Sequence, residues 1–232
     1  LAAAAPEFEF ADFYENTRAT TFYTTGTTGM PKGVYFSHRQ LVLHTRGNLA
    51  AFGTPATQGR FHQEDVYMPL TPMFHVHAWG MPYVATSMGV KQVYPGKYAP
   101  GTILQLVAGE GVTFSHCVPT VMHMLMNHPS FNELDLSRWK VLIGGSALRK
   151  SMCQTAMARG IDIFTGYGMS ETCPILTVAH VHRDDLEFGE EVDLRCTTGR
   201  PIPLVELRLG DEQMNEVAHD GEQVGELVVR TP

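Results

Sequence analysis

Short apolar runs alternate with amphipathic stretches along most of this chain, and that alternation limits its fold more than any other feature. Residues 22–24, 33–36, 66–70, 91–94, 112–116, 141–143 and 161–164 are short, apolar and bounded by turn residues, which predicts strands. Between them, residues 38–51, 78–88, 102–108, 120–127 and 148–159 carry helical patterns, and Ser37 is placed to cap the first. Strands alternating with helices predict an α/β fold, a mostly parallel sheet flanked by helices on both faces. Residues 205–209 alternate apolar and charged side chains, residues 225–230 repeat a strand pattern, and Asp220-Gly221 marks a turn before it. The last part is therefore expected to be antiparallel β structure. Residues 182–195 hold Asp184, Asp185, Glu187, Glu190, Glu191 and Asp193 against only Arg183 and Arg195, and read as a solvated surface segment. The expected organisation is an α/β unit over 1–181, an acidic segment over 182–195 and a partial β unit over 196–232.

Composition excludes several classes. A net charge of −7 with pI near 5.9 argues against a nucleic-acid surface. No apolar run reaches the length that spans a bilayer. The opening Leu1-Ala2-Ala3-Ala4-Ala5-Pro6 lacks a basic leader, so a signal peptide is not expected. Cys117, Cys153, Cys173 and Cys196 show no Cys-x-x-Cys spacing, and reduced thiols in a cytoplasmic protein are the simplest expectation. Twelve methionines suit an adaptable apolar pocket, although core packing is the simpler explanation for most of them.

Four segments carry chemistry. Thr24 to Val34 packs Gly26, Gly29 and Gly33 among Thr24, Thr25, Thr27 and Thr28, with Lys32 near its end. Successive amides in such a turn form an anion-binding concavity, the hydroxyls add donors, and Lys32 adds a mobile cation. This is not the P-loop of NTPases, because Pro31 precedes and Gly33 follows the lysine, leaving no hydroxyl there for a metal. A solvated Gly/Thr turn is the plain alternative. Further on, Gly166-Tyr167-Gly168-Met169-Ser170-Glu171-Thr172 offers a ring for stacking on a purine, a hard carboxylate ligand for Mg²⁺ in Glu171, and a donor in Thr172. A glycine-rich turn around a buried tyrosine would look similar. Gly144, Gly145 and Ser146 end a buried strand in a tight turn, which is also ordinary in α/β folds. His75 and His77 stand two apart without an acidic or thiol neighbour to complete a metal set, so a metal reading is weak.

Together these segments resemble the signatures of the adenylate-forming (acyl-activating) superfamily, and from about Phe22 to Pro232 the chain is similar to bacterial long- and medium-chain fatty-acyl-CoA synthetases. The resemblance implies an acyl-CoA synthetase-like fold in which the antiparallel tail begins a small β-barrel. It implies ATP-dependent activation of a fatty acid to an acyl-adenylate and then acyl-CoA, with ATP, Mg²⁺ and coenzyme A. It assigns pyrophosphate to Thr25, Thr28 and Lys32, the α-phosphate to Thr172, Mg²⁺ to Glu171 and adenine to Tyr167 beside the Gly144-Gly145-Ser146 turn. It also places His75 near the reacting carboxylate and Trp79 at the acyl tunnel. It further implies that a ribose-gripping aspartate, a lysine-bearing C-terminal domain and a leading segment are not in this sequence. On that expectation the fragment is inactive alone and self-associates, as a homodimer, through exposed apolar faces. Two alternatives remain: an amino-acid or aryl-acid adenylation domain, against which no acidic residue stands ready for a substrate amine, and a nucleotide-binding module without turnover.

Overall fold

The computed structural model describes residues 7–24, 30–56, 58–181 and 186–232. Strands β1 (Arg18–Thr24) and β2 (Lys32–Ser37) pair antiparallel as a two-stranded sheet of their own, with Thr24 opposite Lys32 at the open end. This differs from the parallel membership expected of both strands. Thr24 and Lys32, which flank the Gly/Thr-rich segment, thus lie on a separate hairpin and not on the main sheet. The segment's residues Thr25, Gly26, Thr27, Thr28 and Gly29 lie outside the described residues.

Helix α1 (His38–Gly53) follows at once. The Ser37 hydroxyl accepts from Gln40 N at 3.2 Å while Gln40 Oε1 accepts from Ser37 N at 3.0 Å, a reciprocal cap. Then come β3 (Val66–Pro69), the single turn α2 (Val76–Trp79), α3 (Met81–Met88), β4 (Lys91–Gln92), α4 (Pro100–Glu110), β5 (Phe114–Cys117), α5 (Pro119–Met126), β6 (Lys140–Ile143), α6 (Lys150–Ala158) and β7 (Asp162–Gly168). Strands β8 (Ile175–Val178) and β9 (Arg200–Pro201), separated by α7 (Phe188–Arg195), complete a seven-stranded sheet ordered β4-β3-β5-β6-β7-β8-β9. The first five of these strands in sheet order are parallel, and β8 and β9 join antiparallel. A last hairpin, β10 (Glu206–Gly210) with β11 (Glu226–Arg230), is antiparallel as expected.

Alternation along the strands decides what each face buries. Met68, Val141, Ile143 and Ile163 pack with Leu104 of α4, Leu125 of α5, Ala156 of α6 and Val192 of α7. Their sequence neighbours Tyr67, Leu142 and Phe164 point the other way, onto Phe52 of α1 and Met81 and Val84 of α3. Each inner strand thus buries side chains on both faces, most of them apolar, which is why these segments read as nearly continuous apolar runs.

The acidic segment needs a correction. From Phe188 it is a helix, opened by a reciprocal Glu187–Glu190 cap, and it buries Val192 and Arg195. Arg195 reaches Asp162 at 2.6 Å and Glu191 at 2.7 Å, tying α7 to the start of β7. The dense charge concealed a helical face whose one buried cation is paired on both sides. A second polar tie lies at the amino ends of the strands, where buried Asp65 meets Lys140 Nζ at 2.6 Å and accepts from the Thr113 hydroxyl at 2.6 Å.

Candidate adenylate site

The Gly166-Tyr167-Gly168 segment forms the carboxyl end of β7, paired with β8 across an irregular register between Tyr167 and Gly168. Here the glycines are sterically required. A Cβ on Gly168 would come within 1.9 Å of the Pro174 carbonyl oxygen, and one on Gly144 within 2.9 Å of the Trp79 indole and 3.1 Å of Gly166 O. Gly145 turns the chain at φ 77°. The result is a cavity of about 120 Å³ lined by His75, Val76, Trp79, Leu142, Gly144, Gly145, Gly166, Tyr167, Gly168, Met169, Ser170, Pro174 and Ile175. Seven of the residues singled out in the sequence meet there: His75, Trp79, Gly144, Gly145, Gly166, Tyr167 and Gly168.

Others are placed differently. Ser146 lines a separate groove between α5 and α6 with Thr120 and Met152, so its side chain is not part of this cavity. Thr172 is buried in the turn after Met169. Its hydroxyl accepts from Met169 N at 3.2 Å and has carbonyl acceptors in Met169 at 3.0 Å and Pro174 at 2.7 Å. With its one hydrogen engaged by a carbonyl, Thr172 shapes the loop in this conformation. Glu171 is exposed on the same turn, next to the cavity lining at Ser170. Among the described residues no group of three metal-binding side chains converges. One carboxylate completed by substrate phosphates is nevertheless a normal Mg²⁺ arrangement, and Glu171 fits it. Lys32 is exposed at the hairpin's open end, opposite Thr24.

Two buried histidines support the cavity from below, and neither stood out in the sequence. His44 of α1 accepts from Ile175 N at 3.2 Å and lies under Gly80, where a Cβ would meet its ring at 2.9 Å. His116, at the end of β5, contacts the Tyr67 hydroxyl at 2.6 Å and the Thr71 hydroxyl at 3.1 Å, and the Trp79 indole packs on its ring at 5.0 Å. Burial pushes both imidazoles down to about 3, so both are neutral at any physiological pH. Burial likewise raises the Cys117, Cys153 and Cys173 thiols to about 12, which leaves them protonated. All four cysteines are free.

Residues 6–232 match the family described as AMP-binding enzyme. This chain belongs to that family. Among the relatives of this AMP-binding chain, the long-chain-fatty-acid–CoA ligase of Thermus thermophilus is 41% identical over 215 residues, which are 90% of this chain and 39% of that protein. The 3-methylmercaptopropionyl-CoA ligase of Ruegeria lacuscaerulensis is 39% identical over 229 residues, 97% of this chain and 42% of that protein. The chain therefore spans about two fifths of the length of these relatives. The fold matches the N-terminal domain of FACL13 from Mycobacterium tuberculosis with a TM-score of 0.82 at 21% identity, covering 99% of this chain and 54% of that one. The α/β architecture with its mostly parallel sheet is that of adenylate-forming enzymes.

Proposed function

We propose that this chain supplies the nucleotide- and acyl-binding part of an AMP-forming acyl-CoA ligase acting on a fatty carboxylate. The observation that carries the reading is the shared cavity. Its lining combines glycine backbone and the Tyr167 ring, suited to a purine, with Val76, Trp79 and Leu142, suited to an apolar tail. His75 is exposed and belongs to the same lining. In the first step a substrate carboxylate oxygen attacks the α-phosphorus of ATP, and pyrophosphate leaves. In the second, the coenzyme A sulfur attacks the acyl carbon and AMP leaves. Neither step needs a protein nucleophile, so the residues work by position and charge. Lys32 and the amides around it hold the departing pyrophosphate, Tyr167 orients adenine, and Glu171 would hold Mg²⁺, which neutralises phosphate charge when bound. Names of relatives that are fatty-acid–CoA ligases support this substrate class.

One observation favours a shorter acid. The buried Trp79 indole is part of the lining of a cavity of about 120 Å³, well below the roughly 300–1,000 Å³ that pockets for larger ligands occupy.

Isothermal titration of the chain with Mg²⁺-ATP, and with nonhydrolysable acyl-adenylate analogues of two to sixteen carbons, tests both points. Expected is micromolar analogue binding that falls at least tenfold in Tyr167→Ala. Absence of binding by a folded chain would refute the cavity assignment. In a version extended to the relatives' length, Glu171→Ala is expected to slow ATP–pyrophosphate exchange roughly 10²–10³-fold, the scale of losing one electrostatic stabiliser. Near-normal exchange at saturating Mg²⁺ would remove Glu171 from that role.

A further inference from the structure

The turn that lines the acyl side of the cavity is left-handed. Val76, His77, Ala78 and Trp79 have φ of 47°, 54°, 48° and 60°, and Gly80 follows at 72°. Gly80 N donates back to Val76 O at 3.2 Å and His77 O at 3.1 Å, closing the turn. For residues with a Cβ this conformation costs about 1–2 kcal/mol each, so it persists only where the surroundings over-determine it. Two sets of contacts do so, on opposite sides. Trp79 is buried in the cluster of Leu142 and Phe164 beneath the main sheet. Val76 is buried in a different cluster with Phe22 and Phe36 of the β1–β2 hairpin and Cys173 of the Glu171 loop.

Between these anchors sits His77. Its Nε2 is 2.5 Å from the Thr20 hydroxyl, and its ring packs edge-on to Phe22 at 5.4 Å and beside Tyr83 at 5.8 Å. Thr20 lies on β1 just after a register irregularity between Arg18 and Thr20, the kind of feature that re-aims a side chain. On a strand, Thr20, Phe22 and Thr24 share one face. Two of them contact His77, and the third is the last paired residue before the phosphate-loop segment.

We propose that the Thr20–His77 hydrogen bond docks the phosphate-loop hairpin onto the left-handed turn, making Thr20 and His77 positioning residues that couple the polyphosphate end of the site to its acyl end. The ligand half of this statement rests on the function proposed above; the docking half does not. Without the bond, the turn loses one of the contacts that hold its left-handed form. His75 and Trp79 then lose their fixed relation to Lys32. Occupancy of one end no longer alters affinity at the other, which is what energetic coupling between sites means.

The test uses this chain with Thr20→Val, which keeps the shape and removes the bond, and Thr20→Ser, which restores a hydroxyl. Without ligand, amide exchange at Gly80, Phe22 and Val34 is expected to quicken about three- to tenfold in Thr20→Val and to stay near wild type in Thr20→Ser, the scale of one net hydrogen bond. With ligands, magnesium pyrophosphate is titrated in the presence and absence of a nonhydrolysable acyl-adenylate analogue. Wild type and Thr20→Ser are expected to show at least a threefold change in pyrophosphate affinity caused by the analogue, with the change absent in Thr20→Val although each ligand still binds. Unchanged exchange in Thr20→Val overturns the docking, whatever the ligands do. Binding of both ligands with no mutual effect in wild type overturns the coupling. A folded chain that binds neither ligand overturns the proposed function and with it the coupling, while the exchange measurement still decides the docking.

Discussion

Lowering the pH from 7.5 to 5.5 should cost this fold about 3 kcal/mol through two side chains. His44 and His116 are buried and held neutral, with pKa values depressed from the ordinary 6.5 to about 3. The unfolded chain frees both to take up a proton near 6.5, whereas the native fold takes none until far lower pH. Below 6.5 the unfolded state therefore binds more protons, and stability falls as pH falls through that value. The full contribution is present above 6.5. Each histidine loses about 1.4 kcal/mol between pH 7.5 and 5.5, which sums to about 3 kcal/mol for the pair. Carboxylates, titrating near 4 when unperturbed, contribute little in this window. Urea unfolding at half-unit pH intervals measures the loss, and His44→Asn should remove about half of the slope. Should a variant fail to fold, the imidazole proton resonances of the wild-type chain give the same information, since two histidines should not titrate between pH 8 and 4.5. A stability flat from 7.5 to 5.5, or eleven histidines all titrating near 6.5, would show that the buried environment has been misread.

Further expectations follow from single contacts. Gly168→Ala places a Cβ 1.9 Å from the backbone oxygen of Pro174, which cannot move without opening the β7–β8 pairing. It should cost about 3 kcal/mol and abolish analogue binding, checked by thermal unfolding and titration. Lys140→Met strands the Asp65 carboxylate, whose side chain is 3% exposed, and should cost about 3–5 kcal/mol; the double variant with Asp65→Asn should recover most of it.

Much of the site was legible because its chemistry is concentrated in short segments. Gly166-Tyr167-Gly168 and Gly144-Gly145 are required by close approaches of protein atoms that only glycine permits, and such glycines leave a mark in the sequence. His75 and Trp79 were picked out by the family resemblance and not by their local chemistry. His44 and His116 were not legible, since a histidine on a buried helix face and one at the end of an apolar strand carry no local sign of their partners. For Thr172 the hydroxyl is visible in the sequence, while the carbonyls that engage it in this conformation are not.

By itself the sequence determined the alternation of strands and helices, the caps and turns, and the family signatures, because each depends on neighbours within a few residues. Tertiary structure alone decided that β1 and β2 leave the sheet to form their own hairpin, that Phe188–Arg195 folds back to pair Arg195 with Asp162, and that Ser146 faces a different groove from Gly145. It also decided the hand of the Val76–Trp79 turn. No local preference of Val, His, Ala or Trp favours positive φ; the conformation exists because Val76 and Trp79 are buried in two different cores, and contacts between residues far apart in the chain outweigh the local cost.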